Sequence, residues 1–89
     1  MVQRKVEVIN NLGLHLRAAA LLVKKASEFE SEIEIRKNDV VVDAKSIMAV
    51  LGLEASKGSE LEITASGRDE EDALRQLVGL VEEKFYEEE

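Results

Sequence analysis

Glu32-Ile33-Glu34-Ile35-Arg36-Lys37-Asn38-Asp39-Val40-Val41-Val42 carries the plainest structural signal in the chain. Ile33 and Ile35 alternate with Glu32, Glu34 and Arg36, so one face is apolar and the other charged, the period of a half-buried strand. Lys37-Asn38-Asp39 supplies a hairpin turn, because Asn and Asp tolerate left-handed backbone angles. Val40-Val41-Val42 returns as the partner strand. An antiparallel hairpin with one apolar face needs a second layer to cover it.

Segments on either side supply that layer and the rest of the sheet. Upstream, Val2 to Ile9 alternates, with Val2, Val6 and Val8 on one parity and Gln3, Lys5 and Glu7 on the other, and reads as a strand. Asn10-Asn11-Leu12-Gly13 breaks the pattern with turn-forming residues. From about Leu16 to Phe29 the spacing becomes helical, with Ala19, Leu22, Val23, Ala26 and Phe29 on one stripe. Downstream, Ser46 to Leu53 is a short helix with Ser46 as a candidate N-cap. Lys57-Gly58 is a stop, and Leu61, Ile63 and Ala65 mark a fourth strand. Gly67-Arg68-Asp69 leads into the last helix, with Asp69 as candidate N-cap and Leu74, Leu77, Val78, Val81 and Phe85 as its stripe. Only the terminal Glu87-Glu88-Glu89 is expected to fray. The order β-α-β-β-α-β-α predicts a two-layer α+β fold over residues 1–89 as one domain: a four-stranded antiparallel sheet covered on one face by three helices.

Composition narrows the function. The 89 residues carry a net charge of -7, which argues against a nucleic-acid partner, since phosphate backbones attract clustered Lys and Arg. There is no cysteine, which excludes disulfides, thiolate metal sites and thiol nucleophiles, and with one histidine a zinc site is not expected. No Gly-rich P-loop and no Gly-x-Ser-x-Gly elbow is present. The N-terminus Met1-Val2-Gln3-Arg4-Lys5 leads into a short alternating segment, not an apolar run, and no stretch approaches a membrane span. A cytoplasmic protein is expected, with no membrane association and no cofactor.

The single histidine, His15, sits where a turn gives way to a helix. Imidazole is a usable nucleophile and a tunable base near neutral pH. The first turn of a helix offers backbone N–H groups without intrahelical partners, and the dipole favours negative charge. A phosphoryl group on His15 would meet those donors. Arg17 adds a planar cation suited to phosphate oxygens, and Gly13 lets the chain turn sharply. From spacing alone, a lone histidine in a loop is usually just a polar surface residue.

A second stripe on the first helix, Arg17, Ala20, Leu21 and Lys24, lies beside the core-facing one. The short helix has a similar surplus in Ile47, Met48, Val50, Leu51 and Leu53. Either these residues are all core, or those left exposed beside His15 form a docking surface for a protein. Ser46 also has two readings. As an N-cap its hydroxyl accepts an orphan N–H, whereas a phosphate there adds negative charge beside Ile47 and Met48 and weakens docking of an acidic partner.

Gly13-Leu14-His15-Leu16-Arg17, followed by an Ala-rich helix, resembles the active-site segment of the HPr family, phosphocarriers of the bacterial phosphoenolpyruvate-dependent sugar phosphotransferase system. Lys45-Ser46-Ile47-Met48-Ala49-Val50 resembles that family's regulatory serine region, and Lys57-Gly58-Ser59-Glu60-Leu61 its helix-to-strand connection. The resemblance covers nearly the whole chain. It implies an open-faced β-sandwich in which His15 accepts phosphate from enzyme I on Nδ1 and passes it to a sugar-specific enzyme IIA. Arg17 would assist the transfer, Ile47, Met48 and Leu51 would contribute to docking, and Leu16 would bear on partner fit. It implies no metal on the carrier and, in some bacteria, an ATP-dependent HPr kinase/phosphorylase acting at the position of Ser46. The family pattern Gly-[Leu or Ile]-His-[Ala or Thr]-Arg-Pro-Ala is broken twice, by Leu16 and by Ala18 in place of proline. Ala18 keeps helix propensity and leaves an additional N–H.

The expectation is therefore a monomeric phosphoryl-transfer carrier, not a self-contained enzyme. A regulatory interaction module controlled through Ser46 is one alternative. A carrier of a nitrogen-related phosphotransferase branch, with the same chemistry and other partners, is a second.

Overall fold

In the computed structural model, which describes residues 1–87, the elements run β1 (Val2–Glu7), α1 (Leu16–Ala26), β2 (Glu32–Lys37), β3 (Val40–Asp43), α2 (Ile47–Leu51), β4 (Glu60–Ser66) and α3 (Glu70–Glu82). The hairpin forms where alternation places it. Lys37 pairs with Val40, Ile35 with Val42, and Asn38 takes the left-handed angle (φ 55°) that closes the turn. The four strands form one sheet in the order β1-β4-β2-β3, and every neighbouring pair is antiparallel.

Parity then decides burial. Ile33 and Ile35 of β2 and Leu61, Ile63 and Ala65 of β4 are buried on the covered face. Glu32, Glu34 and Arg36 stand on the other face. The helices close the covered face with Ala18, Ala19, Leu22 and Ala26 from α1, Val50 from α2, and Ala73, Leu77, Val78, Leu80 and Val81 from α3. The α+β open-faced sandwich expected from the sequence is the fold observed.

The first strand stops at Glu7 rather than Ile9, and three helix ends differ from the periodicity, each for a local reason. Helix α1 stops at Ala26, not Phe29. Ser27 N–H still donates to Val23 O, but Glu28 and Phe29 bond three residues back to Lys25 and Ala26, and this tighter turn keeps Phe29 in the core. Helix α2 ends at Leu51, with Gly52 N–H on Met48 O, so Leu53 reaches the core from the following loop. Helix α3 ends at Glu82, and Phe85 does not extend its helical stripe. Lys84, Phe85 and Tyr86 instead form a 3-10 turn with φ of 57°, 54° and 62°. A left-handed backbone costs roughly 1–2 kcal/mol for each non-glycine residue. The reversal swings the buried Phe85 back onto the molecule and sends the chain toward α1.

Ser46 is the N-cap of α2, its Oγ accepting the Ala49 N–H at 3.4 Å. Asp69 occupies the N-cap position of α3, its backbone O accepting the Ala73 N–H at 2.9 Å, without a side-chain bond to that helix. Its carboxylate accepts instead from Glu30 N–H at 2.9 Å, from Ser31 N–H at 3.0 Å and from the Ser31 hydroxyl, tying the entry of β2 to α3. Glu70 takes over at the helix start, accepting the Gly67 N–H at 3.1 Å.

Candidate functional site

The site grows from the loop between β1 and α1. Asn10, fully buried, donates its Nδ2–H to Gly13 O at 2.8 Å, and Gly13 N–H donates to Asn10 O at 3.1 Å. Gly13 has φ +66°, and a Cβ there would lie 2.7 Å from Ala55 O, so no larger residue fits without displacing the strand-leading loop. Leu14 N–H bonds that same Ala55 O at 2.8 Å. The loop is therefore pinned at both ends of its turn, and His15 follows it as the N-cap of α1, with φ -76° and ψ 179°.

Ala19 N–H makes the first helical bond to His15 O at 2.8 Å. The N–H groups of Leu16, Arg17 and Ala18 precede it and have no intrahelical acceptor. The imidazole is 28% exposed, with Nε2 against Oε2 of Glu87. The other carboxylate oxygen of Glu87 accepts Asn10 Nδ2–H at 3.1 Å. Asn10 Oδ1 is buried and finds no acceptable donor among the described residues, so both amide hydrogens are committed while its oxygen is not.

Glu87 is thus held, not frayed, which corrects the composition-based expectation. Glu88 and Glu89 lie outside the described residues. The ordering follows from the left-handed turn that precedes Glu87 and from acceptor demand at His15 and Asn10. Sequence reading missed Asn10, taken only as a turn former, and Glu87, which sits in an acidic run with no periodic signal.

Arg17 is exposed at the second position of α1 and makes no ion pair among the described residues. On the second stripe Ala20 and Lys24 are exposed and Leu21 is half-buried. On α2, Met48 is 75% exposed, Ile47 and Leu51 are half-buried against the core, and Val50 and Leu53 are inside it. The surplus apolar residues therefore divide: Val50 and Leu53 belong to the core, and Met48 is left exposed. Leu16 is 64% exposed, so the bulk that replaces a small residue points to solvent, while Ala18 is buried. Leu12 and Tyr86, which flank the site in sequence on its two chain segments, are also largely exposed. Helices α1 and α2 pack together, and each carries a largely exposed apolar residue, Leu16 and Met48.

A shallow concavity of about 470 Å³ lies elsewhere, on the uncovered sheet face, lined by Lys5, Arg36, Lys37, Glu60 and Glu62 among others. Its charges are mixed in sign and Arg36 is 3.9 Å from Glu62, so it offers no uniform field to a ligand. Among the described residues no cluster of three His, Cys, Asp or Glu side chains is arranged to hold a metal ion, and no helix is long and apolar enough to cross a membrane.

An open-faced α+β sandwich with a half-exposed histidine capping its first helix is the class of structure this chain presents. A family model described as "PTS HPr component phosphorylation site" matches residues 2–83. The chain is 46% identical over 88 residues to the phosphocarrier protein HPr of Treponema pallidum, covering 99% of this chain and 100% of that one. Its fold superposes on the crystal structure of HPr from Thermoanaerobacter tengcongensis with a TM-score of 0.96, at 45% identity and full coverage of both chains. It also resembles the catabolite-repression protein Crh of Bacillus subtilis, whose structure is described as a domain-swapped, intertwined dimer, with a TM-score of 0.76 at 44% identity over 94% of this chain and 97% of that one. The chain belongs to the HPr phosphocarrier family of the phosphotransferase system.

Proposed function

We propose that this chain carries a phosphoryl group on His15, taking it from enzyme I and handing it to an enzyme IIA in the cytoplasm. The observation that carries the reading is a half-exposed imidazole at the N-cap of α1, in a chain of the HPr family. Transfer is an in-line displacement. The imidazole lone pair attacks phosphorus of the donor's phosphohistidine, and the donor's P–N bond breaks with its electron pair returning to the donor ring. The second transfer runs the same step in reverse order. Such transition states spread negative charge over the equatorial oxygens, so positioned N–H groups and cations do most of the work. The first-turn N–H groups, which have no intrahelical acceptor, and the Arg17 guanidinium supply both. Leu16, Ala20, Leu21, Lys24, Ile47, Met48 and Leu51 form the surface on which partners dock, an apolar patch with a cationic rim.

Incubation with enzyme I and labelled phosphoenolpyruvate tests the reading. The wild type takes up acid-labile label and His15→Ala takes up none; equal labelling of the two refutes it.

The likeness to Crh favours a second reading, in which phosphorylation of Ser46 by an HPr kinase/phosphorylase controls association. Ser46 already caps α2, so a phosphate there would need no refolding and would place negative charge beside Ile47 and Met48. ATP-dependent labelling at Ser46 with an unlabelled His15 would select this reading over the first. The carrier acts as a monomer in both, and light scattering distinguishes that state from a Crh-like dimer.

A further inference from the structure

We propose that Glu87 is a positioning residue for His15: its carboxylate, anchored on buried Asn10, fixes the imidazole as the Nε2–H tautomer and leaves Nδ1 as the nucleophile. The proposal rests on the phosphocarrier reading above.

Three independent features converge on it. The Glu87 side chain is only 12% exposed, with one oxygen on His15 Nε2 and the other receiving Asn10 Nδ2–H at 3.1 Å. Asn10 is itself immobilised, because it is fully buried and also donates to Gly13 O at 2.8 Å. The backbone that delivers Glu87 passes through three successive non-glycine residues at positive φ, an unfavourable conformation held by the buried Phe85.

The chemistry follows from hydrogen-bond roles. An ionised carboxylate only accepts, so the ring nitrogen facing it must carry the proton. The neutral ring then has one lone pair, on Nδ1, which the contact leaves unoccupied. Attack by Nδ1 forms the new P–N bond while the donor ring regains its electron pair, and the proton on Nε2 stays in place. The phosphorylated ring is a cation paired with the Glu87 carboxylate, and departure of the phosphoryl group restores the neutral ring with no proton to move. The arrangement parallels the carboxylate that orients a catalytic imidazole in hydrolase triads.

The test compares wild type, Glu87→Ala and Glu87→Gln, each checked for folding by circular dichroism. Nitrogen-15 NMR reads the Nε2–H of neutral His15, and steady-state transfer from phosphorylated enzyme I reads kcat and KM separately. A bonded Nε2–H resonance is expected in wild type and lost to exchange in Glu87→Ala. For that variant kcat falls about tenfold with KM nearly unchanged, as for other residues that orient a functional histidine. Glu87→Gln retains an acceptor oxygen and recovers part of the rate. It also carries the test alone if Glu87→Ala does not fold, its kcat then falling below that of wild type. A transferring wild type whose folded variants keep its kcat and its Nε2–H signal overturns the role of Glu87 and leaves the phosphocarrier reading intact. A wild type that accepts no label overturns both.

Discussion

Gly13 shows how one residue without a side chain holds a reactive one in place. Its φ of +66° and the 2.7 Å approach of Ala55 O to a would-be Cβ exclude other residues, and the turn it allows is what puts His15 at the start of α1. Gly13→Ala meets both penalties at once, the left-handed angle and a clash with backbone that cannot swing aside. It is expected to lose about 2–3 kcal/mol of stability in urea unfolding. The surviving folded fraction should transfer phosphate more slowly, because the histidine moves with the loop. Asn10 belongs to the same scale. Among the described residues it is one of two buried polar ones, and its Oδ1 finds no partner there while its amide hydrogens serve Gly13 and Glu87.

At the scale of elements, the caps separate structure from regulation. The Ser46 hydroxyl bonds the Ala49 N–H, and α2 has only five residues, Ile47–Leu51, over which to spread the loss of that bond. Ser46→Ala is expected to cost about 1 kcal/mol, read as a lower denaturant midpoint at constant slope. His15 remains available in that variant, so labelling from enzyme I should persist. This scale also marks where the sequence was readable. Alternation located β1, β2 and β4, the Asn38-Asp39 turn located β3, the apolar stripes located α1 and α3, and the Ser46 cap marked α2. The stripe of α3 misled at one residue: Phe85 keeps helical spacing from Val81 and is buried as expected, but it gets there through a turn of opposite hand. Spacing records that a side chain reaches the core and not the handedness of the path.

For the whole molecule, the contact between Asp69 and the entry of β2 joins the helical layer to the sheet across 38 residues of chain. The Ser31 hydroxyl, with the Glu30 and Ser31 N–H groups, holds the Asp69 carboxyl below its ordinary value of 3.8. The Gly67 N–H and the terminal amine likewise hold Glu70 below 4.5. A carboxyl whose folded pKa is depressed contributes stability above its unfolded value and loses it as pH falls through the folded one. Stability should therefore decline as pH drops below about 4, and Asp69→Asn should flatten that decline while lowering the melting temperature at neutral pH. Melting curves from pH 2 to 7 check both.

What the sequence alone determined was everything set by near neighbours: strand parity, helical stripes, the left-handed Asn38, the Ser46 cap, and an imidazole at a helix start. These depend on residues a few positions apart, and spacing records them. Only the tertiary structure decided the strand order, the bond that draws the Asp69 carboxylate away from its helix, and the closure of Glu87 onto His15. That last pair is separated by 72 positions, and no local period links them. Their meeting depends on how α3 packs and on a costly reversal of backbone hand after it, terms that exist only once the whole core has formed.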